Sequence, residues 1–252
     1  MAELLRMIKN FKIIIEYDGT RYHGWQRQKE DATIQGEIEK ALSIMTAKHI
    51  VLNGSGRTDA GVHALGQAAN FLCDTDLEPG VFQKGLNSLL PEDIVIRECR
   101  QVDDTFHARY NVKSKIYHYT IFNRPVPAAI NRLYVWSIRK QLDTEAMRFA
   151  ASHIIGHHDF KAFEGAGSPR AHTTRHVMAA DLIETDSRQF TFRIEADGFL
   201  RFMVRNIIGT LVDVGLAKTL PVEFEQILKS KDRTKAGATA PARGLCLMEV
   251  RY

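Results

Sequence analysis

The sequence predicts an α+β protein built as two similarly ordered halves with mainly antiparallel sheets. Three observations carry that expectation. The chain has 252 residues, enough for one large domain or two smaller ones. Strand-like and helix-like runs alternate in its first part, and the theme returns in its second. A polar Thr185-Asp186-Ser187-Arg188 step between two β-rich runs reads as a hairpin.

The elements follow in order. Phe11–Tyr17 is rich in β-branched residues and stops at the turn signal Asp18-Gly19-Thr20. Ile34, Ile38, Leu42 and Met45 recur at helical spacing, which predicts an amphipathic helix over 34–47. A glycine-rich loop precedes a strand near 66–73. A helix after Pro79, with Val81, Leu86 and Leu89 or Leu90 facing inward, stops before Pro91. Ile94 to Val102 is a strand. In the second half, Lys115–Phe122 is a strand and Asp143–Ile154 a helix with Leu142, Ala146, Phe149, Ala150 and Ile154 available for burial. Strands near 176–184 and 189–195 form the hairpin. Over 199–216, Met203-Ile207-Leu211 and Val204-Ile208-Val212 make a broad apolar helix face. A short helix near 222–229 and a strand over Leu245–Tyr252 close the chain. The division expected is 1–105 and 106–252.

Hydrophobic content of 44% and charged content of 25% describe an ordinary globular composition. The net charge of +4 is compatible with a polyanionic partner without requiring one. Cys73, Cys99 and Cys246 are far apart and form no Cys-x-x-Cys, as expected of reduced thiols in a cytoplasm. The start, Met1 to Lys9, is too charged and too short in apolar length to be expected as a signal peptide, and no apolar run reaches the length of a membrane span. A soluble, cytoplasmic protein is expected.

The most informative segment runs from Asn53 to Gln67, with Gly54, Gly56, Gly61 and Gly66 around Arg57, Asp59 and His63. A loop that only turns needs fewer glycines and no such charges, so the segment reads as a catalytic loop. Aspartates in such loops commonly cap their own backbone. The neighbouring Arg57 shifts Asp59 toward a functional carboxylate, as nucleophile or general base. Gly54-Ser55-Gly56-Arg57-Thr58-Asp59 begins like a dinucleotide fingerprint, but Asp59 stands where the third glycine belongs and would repel a pyrophosphate. No Gly-x-x-x-x-Gly-Lys-Ser/Thr loop occurs. A nucleotide cofactor is not expected.

Elsewhere, strand alternation puts Tyr117 and Tyr119 on one face, and basic neighbours suit a stacked base with its phosphate nearby. A half-buried aromatic strand explains the same residues equally well. Arg201 and Arg205 are spaced to share a helix face beside an apolar stripe; Asp59 is an attractive partner, and surface arginines are the plain alternative. His157-His158-Asp159 lacks a third ligand at a suitable spacing, so no metal is expected.

Gly56-Arg57-Thr58-Asp59-Ala60-Gly61-Val62-His63-Ala64 closely resembles the active-site motif of the tRNA pseudouridine synthases that modify the anticodon stem-loop (the synthase A type). Further matches follow in the same order. They are Tyr17-Asp18-Gly19-Thr20, Gly24-Trp25-Gln26, Phe106-His107-Ala108-Arg109 and the Lys115–Tyr119 strand, then His158-Asp159-Phe160, Gly198-Phe199-Leu200, Met203-Val204-Arg205-Asn206 and Ala240-Pro241-Ala242-Arg243-Gly244-Leu245. Lys115-Ile116 stands where related chains often carry a basic pair. The resemblance implies two ferredoxin-like (RRM-like) halves joined around a central active-site cleft. It implies isomerisation of uridine to pseudouridine at tRNA positions 38, 39 and 40, with no cofactor and no metal. Asp59 is implied as the nucleophile, and attack on the sugar and on the base both stay open. Tyr117 is implied to stack on the target base, and its phenol to assist proton removal. Arg205 is implied to pair with Asp59, Arg57 to help hold the flipped nucleotide or fill its place in the stack, and Leu245 to wall the pocket. The partners implied are tRNA and a second copy of the chain, as a homodimer.

Two other classes stay open on the residues. A non-catalytic RNA-binding protein would need a neutral residue at position 59. A hydrolase could use Asp59 with His63 or His107 as an acid–base pair, and would release uracil.

Overall fold

The computed structural model describes residues 8–167, 172–186 and 188–252. Met1 to Met7 at the charged N-terminus, and Ser187 at the expected hairpin turn, lie outside the described residues. The chain forms two compact units, one of residues up to Lys113 together with Leu247–Tyr252, the other spanning Ser114–Cys246.

In the first unit the central strand is β1 (Ile8–Tyr17), flanked by β3 (His63–Asp74) and β4 (Ile94–Val102), both antiparallel to it. The two-residue β2 (Asn53–Gly54) lies antiparallel on β3. The C-terminal strand β10 (Leu245–Arg251) hydrogen-bonds beside β3. Helix α1 (Ile34–Thr46) starts where the Thr33 hydroxyl accepts from the Gly36 amide, and ends with Ala47 in the left-handed region at φ 53°. Helix α2 (Pro79–Leu89) begins on a proline, where a missing amide costs nothing, and stops before Pro91. Its inward residues are Phe82 and Leu86, and of the pair Leu89 or Leu90 it is Leu90 that is buried; Val81 is exposed, contrary to the sequence reading, because one helical turn places Phe82 and not Val81 over the sheet. Phe11, Phe71 and Phe82 form the core, with ring centroids 4.8–5.3 Å apart. Fully burying such a ring contributes about 1.5–3 kcal/mol.

The second unit carries β5 (Ser114–Asn123), antiparallel to β9 (Gln189–Ala196), which in turn pairs antiparallel with β8 (Thr174–Asp186), followed by the short β7 (Gly156–Asp159). Within this mainly antiparallel arrangement β6 (Trp136–Ile138) lies parallel along β5, held by the buried Asn123 side chain donating to the Ile138 and Lys140 carbonyls. Helices α3 (Thr144–Ser152), α4 (Met203–Gly215) and α5 (Pro221–Ser230) pack together on this unit. Both predicted stripes of α4 are buried along their whole length. Phe149 of α3 is exposed instead of buried, because Met147 and Ala151 take the inward positions. Among the described residues the fold is mixed α+β, with five α-helices and mostly antiparallel pairing.

Candidate active site

The loop that carries Asp59 is fixed from below by β1. A register irregularity between Ile15 and Tyr17 re-aims the end of that strand, as β-bulges do, and the Tyr17 hydroxyl meets the Thr58 hydroxyl at 2.8 Å in the interior. The backbone on either side of the carboxylate is also held. The Trp25 amide donates to the Thr58 carbonyl at 3.1 Å, and the Val62 amide to the Asp59 carbonyl at 3.2 Å. Close approach at Trp25 needs Gly24, which sits at φ 92° and has the Thr58 carbonyl oxygen 2.6 Å from where a Cβ would stand. Gly61, at φ 75°, lets the chain turn back after Asp59. Asp59 is therefore half-buried on a pinned turn, with the Arg57 side chain exposed beside it. Among the described residues no ion pair engages Arg57.

His63 is buried behind this turn. Its Nδ1 lies 3.1 Å from the Gly19 amide nitrogen and 3.0 Å from Asp18 Oδ1. One nitrogen cannot accept from the first and donate to the second at once. An Nδ1 without a proton accepts from Gly19, and an Nδ1–H, in the neutral tautomer or the charged ring, donates to Asp18. Either way His63 secures the Asp18–Thr20 turn, which explains structurally why an imidazole stands in the loop. His107, the other histidine considered for acid–base work, accepts the Arg109 amide through Nδ1 at 3.1 Å.

In the second unit, β5 buries Tyr117 and Tyr119 on one face, as alternation predicts. The Tyr117 ring is 7% exposed and meets Phe199 edge-on at 5.1 Å. The Tyr119 hydroxyl donates to the Pro241 carbonyl at 2.8 Å, and burial pushes its phenol far above the ordinary range against the opposing pull of Arg205 and Arg243. A proton-transfer role for Tyr119 near neutral pH is accordingly unfavourable.

Arg205 lies in the first turn of α4. Its Nε donates to the Ala240 carbonyl at 2.8 Å, and the Ala240 amide returns a bond to the Arg205 carbonyl at 3.1 Å. Arg201 does not share the helix face expected of it. The helix begins only at Met203, because Phe202 is left-handed at φ 59°, and Arg201 instead donates to the Ala166 carbonyl. The two guanidiniums lie 4.7 and 5.0 Å from the Phe202 ring centroid.

Residues 240–244 stand in one of the runs that carry the family resemblance, but the contacts that make residues 236–244 a strap leading to Leu245 were not anticipated. The strap rests on bare α4 backbone, since a Cβ on Gly209 would fall 1.7 Å from the Ala238 carbonyl oxygen. The fully buried Asn206 ties it down. Its amide donates to the Phe163 carbonyl at 2.8 Å, while its oxygen accepts from Thr239 at 2.6 Å and Arg233 at 3.1 Å. The Gly237 amide adds a bond to the Thr210 hydroxyl at 2.9 Å. Leu245, just beyond the strap, is buried. A polar residue one step after an arginine in an otherwise apolar helix was the available signal for Asn206.

His157 and His176 stack at 4.0 Å, His158 Nε2 lies 2.9 Å from the Ile155 carbonyl, and Asp159 bonds Thr173 and Lys231. Among the described residues no group of three or more His, Cys, Asp or Glu side chains could hold a metal. No helix there is long and apolar enough to cross a membrane.

A family model described as tRNA pseudouridine synthase matches residues 13–111 and 150–252, taking in the Asp59 loop, Arg205 and Leu245. The chain belongs to the tRNA pseudouridine synthase family. Proteins named tRNA pseudouridine synthase A agree over nearly its whole length. The one from Acetivibrio thermocellus is 46% identical over 245 residues, covering 97% of this chain and 100% of that protein. That from Thermoanaerobacter sp. is 48% identical over 246 residues, with 97% and 100% covered. The Clostridium acetobutylicum protein is 44% identical over 245 residues, again with 97% and 100% covered. The activity is an isomerisation of uridine to pseudouridine in tRNA, which removes the hydrolase and the non-catalytic binder from consideration.

Proposed function

We propose that this isomerase acts on uridines 38, 39 and 40 of the tRNA anticodon stem-loop, with Asp59 as its nucleophile. The observation that carries the assignment is the Asp59 turn. Its backbone is held on both sides, by Trp25 and Val62, while the carboxylate stays half-buried beside an exposed arginine. A preorganised carboxylate loses little freedom on reaching the reacting atom. The reaction breaks the bond between uracil N1 and the ribose, turns the base and joins its C5 to the same carbon. The proton on C5 leaves, N1 regains one, and RNA mass is unchanged. Arg205 would pair with Asp59 and keep it ionised, since an adjacent positive charge favours the carboxylate. Its Nε bond to Ala240 supports that role by fixing how the guanidinium is presented. Tyr117 would stack on the flipped base, with Phe199 setting the tilt of its ring, and its phenol would assist proton removal. Leu245 would wall the pocket, and Arg57 would hold the extruded nucleotide or fill its place in the stack.

The same reading assigns residues 1–105 and 106–252 to two ferredoxin-like halves around the active-site cleft, the first carrying the aspartate loop. The enzyme would work as a homodimer in the cytoplasm, without cofactor or metal. The test is to incubate the purified protein with an unmodified tRNA that has uridines throughout, and map pseudouridine at single-nucleotide resolution. Conversion confined to 38–40 is expected. Conversion only in another arm of the tRNA would refute the substrate assignment.

A further inference from the structure

One feature of the first unit lies outside the residues assigned above. The segment 103–112 is fastened to the sheet at an unusual cost in buried polar groups. Asn10, fully buried, donates to the Asp103 and Phe106 carbonyls at 3.0 and 2.8 Å. Asn70 donates to the Asn10 oxygen and accepts from the Ala108 amide, both at 2.9 Å. The Tyr252 hydroxyl donates to the Ala108 carbonyl at 2.8 Å, and its ring lies 4.9 Å from that of Phe106. The turn also closes on itself, with the His107 amide donating to Asn111 Oδ1 at 2.7 Å and the Tyr110 and Asn111 amides to the His107 carbonyl. Satisfied buried networks of this kind rigidify what they hold.

What this rigid turn displays is an aromatic ring. Tyr110 is 76% exposed, so it adds little to the core. The His107 ring lies 4.3 Å from it at 35°, and the Arg109 guanidinium 5.9 Å from its centroid. Among the described residues no ion pair engages Arg109. A fixed, exposed phenol beside an unneutralised guanidinium and an imidazole matches what an unpaired nucleotide requires. The ring offers a face for the base, and the cation a partner for its phosphate.

We propose that His107, Arg109 and Tyr110 form an RNA-docking platform that stacks an unpaired nucleotide of the tRNA substrate, separate from the Asp59 turn. The proposal rests on the tRNA-modifying reading above. Its role is in binding and not in the chemical step.

The test compares wild type with Tyr110→Ala, Tyr110→Phe and Arg109→Ala on a full-length tRNA transcript. Filter binding, its salt dependence, single-turnover conversion at saturating enzyme and sedimentation velocity are the readouts. Tyr110→Ala is expected to raise Kd ~5- to 150-fold, the range of one base–aromatic stack, while Tyr110→Phe stays within about twofold of wild type. Arg109→Ala should lower the log–log salt slope by roughly 0.7–0.9, one phosphate contact. Saturated conversion rates should stay within about twofold for all three. Unchanged Kd in Tyr110→Ala overturns the proposal, as does a changed oligomeric state, which would make the ring a protein–protein contact. If wild type itself converts no uridine, the reading of the reaction fails. Binding by the variants still decides the platform on its own.

Discussion

Asn206→Ala tests how the second unit holds the strap that leads to Leu245. The change removes one donor and two acceptor contacts at a fully buried position. The Phe163 carbonyl and the Thr239 hydroxyl each lose a neutral hydrogen bond, about 0.5–1.5 kcal/mol apiece, and Arg233 loses a charge-assisted one of about 1.5–3 kcal/mol. Arg233 keeps its bonds to the Ala236 carbonyl and Thr239, and water entering the vacated space recovers part of the loss. The net destabilisation expected is about 2–5 kcal/mol. Urea titration followed by circular dichroism measures it, the second unit's transition moving to lower urea. In conditions where the variant stays folded, its saturated turnover should still fall at least tenfold, because the Ala240 partner of Arg205 is no longer fixed. Asn206→Asp, which keeps both acceptor contacts and adds charge facing Arg233, should retain more turnover than Asn206→Ala. A stability change under about 1 kcal/mol with wild-type turnover would show that the strap is held by Gly209 packing alone and that Asn206 has no part in it.

Three further outcomes are expected. Tyr117→Phe should bind tRNA like wild type and Tyr117→Ala should lose on the order of 1–3 kcal/mol; equal binding by all three would return the ring to core packing beside Phe199. Burial lowers Lys12 from 10.5 to about 8, although its ammonium lies 3.8 Å from the Tyr252 ring. A lowered amine pKa means that the unfolded chain binds the proton more tightly, so stability rises as pH climbs from about 8 to 10.5. Urea midpoints at pH 7 and pH 10 should shift in favour of wild type relative to Lys12→Met, and a parallel pH dependence in both would contradict this. Single-turnover conversion on prefolded tRNA should survive exhaustive EDTA; loss that zinc restores would direct attention to His157, His158 and Asp159.

The helices were legible because their signals are local. The apolar spacing of α1 and the α4 stripes depend only on residues within a few turns. Val81 and Phe149 were misassigned because several helical registers bury comparable apolar area, and only the sheet beneath selects one. Short strands such as β2 and β6 owe their existence to a partner strand or to Asn123, so no pattern within them announces it. Arg201 was set on the helix face by spacing, whereas a left-handed Phe202 starts the helix two residues later. At the candidate site, the Asp59 loop stood out by its glycines and charges. Its support did not, because Tyr17–Thr58 and Trp25–Thr58 join residues 41 and 33 positions apart. The contacts of the strap and of Asn206 escaped for the same reason, although Asn206 and residues 240–244 lie in runs that match the family. A buried hydrogen-bonded asparagine reads in sequence like any polar residue.

The most direct test of the central claim is single-turnover conversion by Asp59→Asn with enzyme in excess over tRNA. The substitution removes the carboxylate charge at nearly constant volume and leaves the backbone bonds to Thr58 and Asp59 carbonyls in place. With Asp59 as the nucleophile, tRNA affinity stays within a few-fold of wild type and the conversion rate falls by many orders of magnitude. Retention of a tenth of the wild-type rate would place the nucleophile elsewhere.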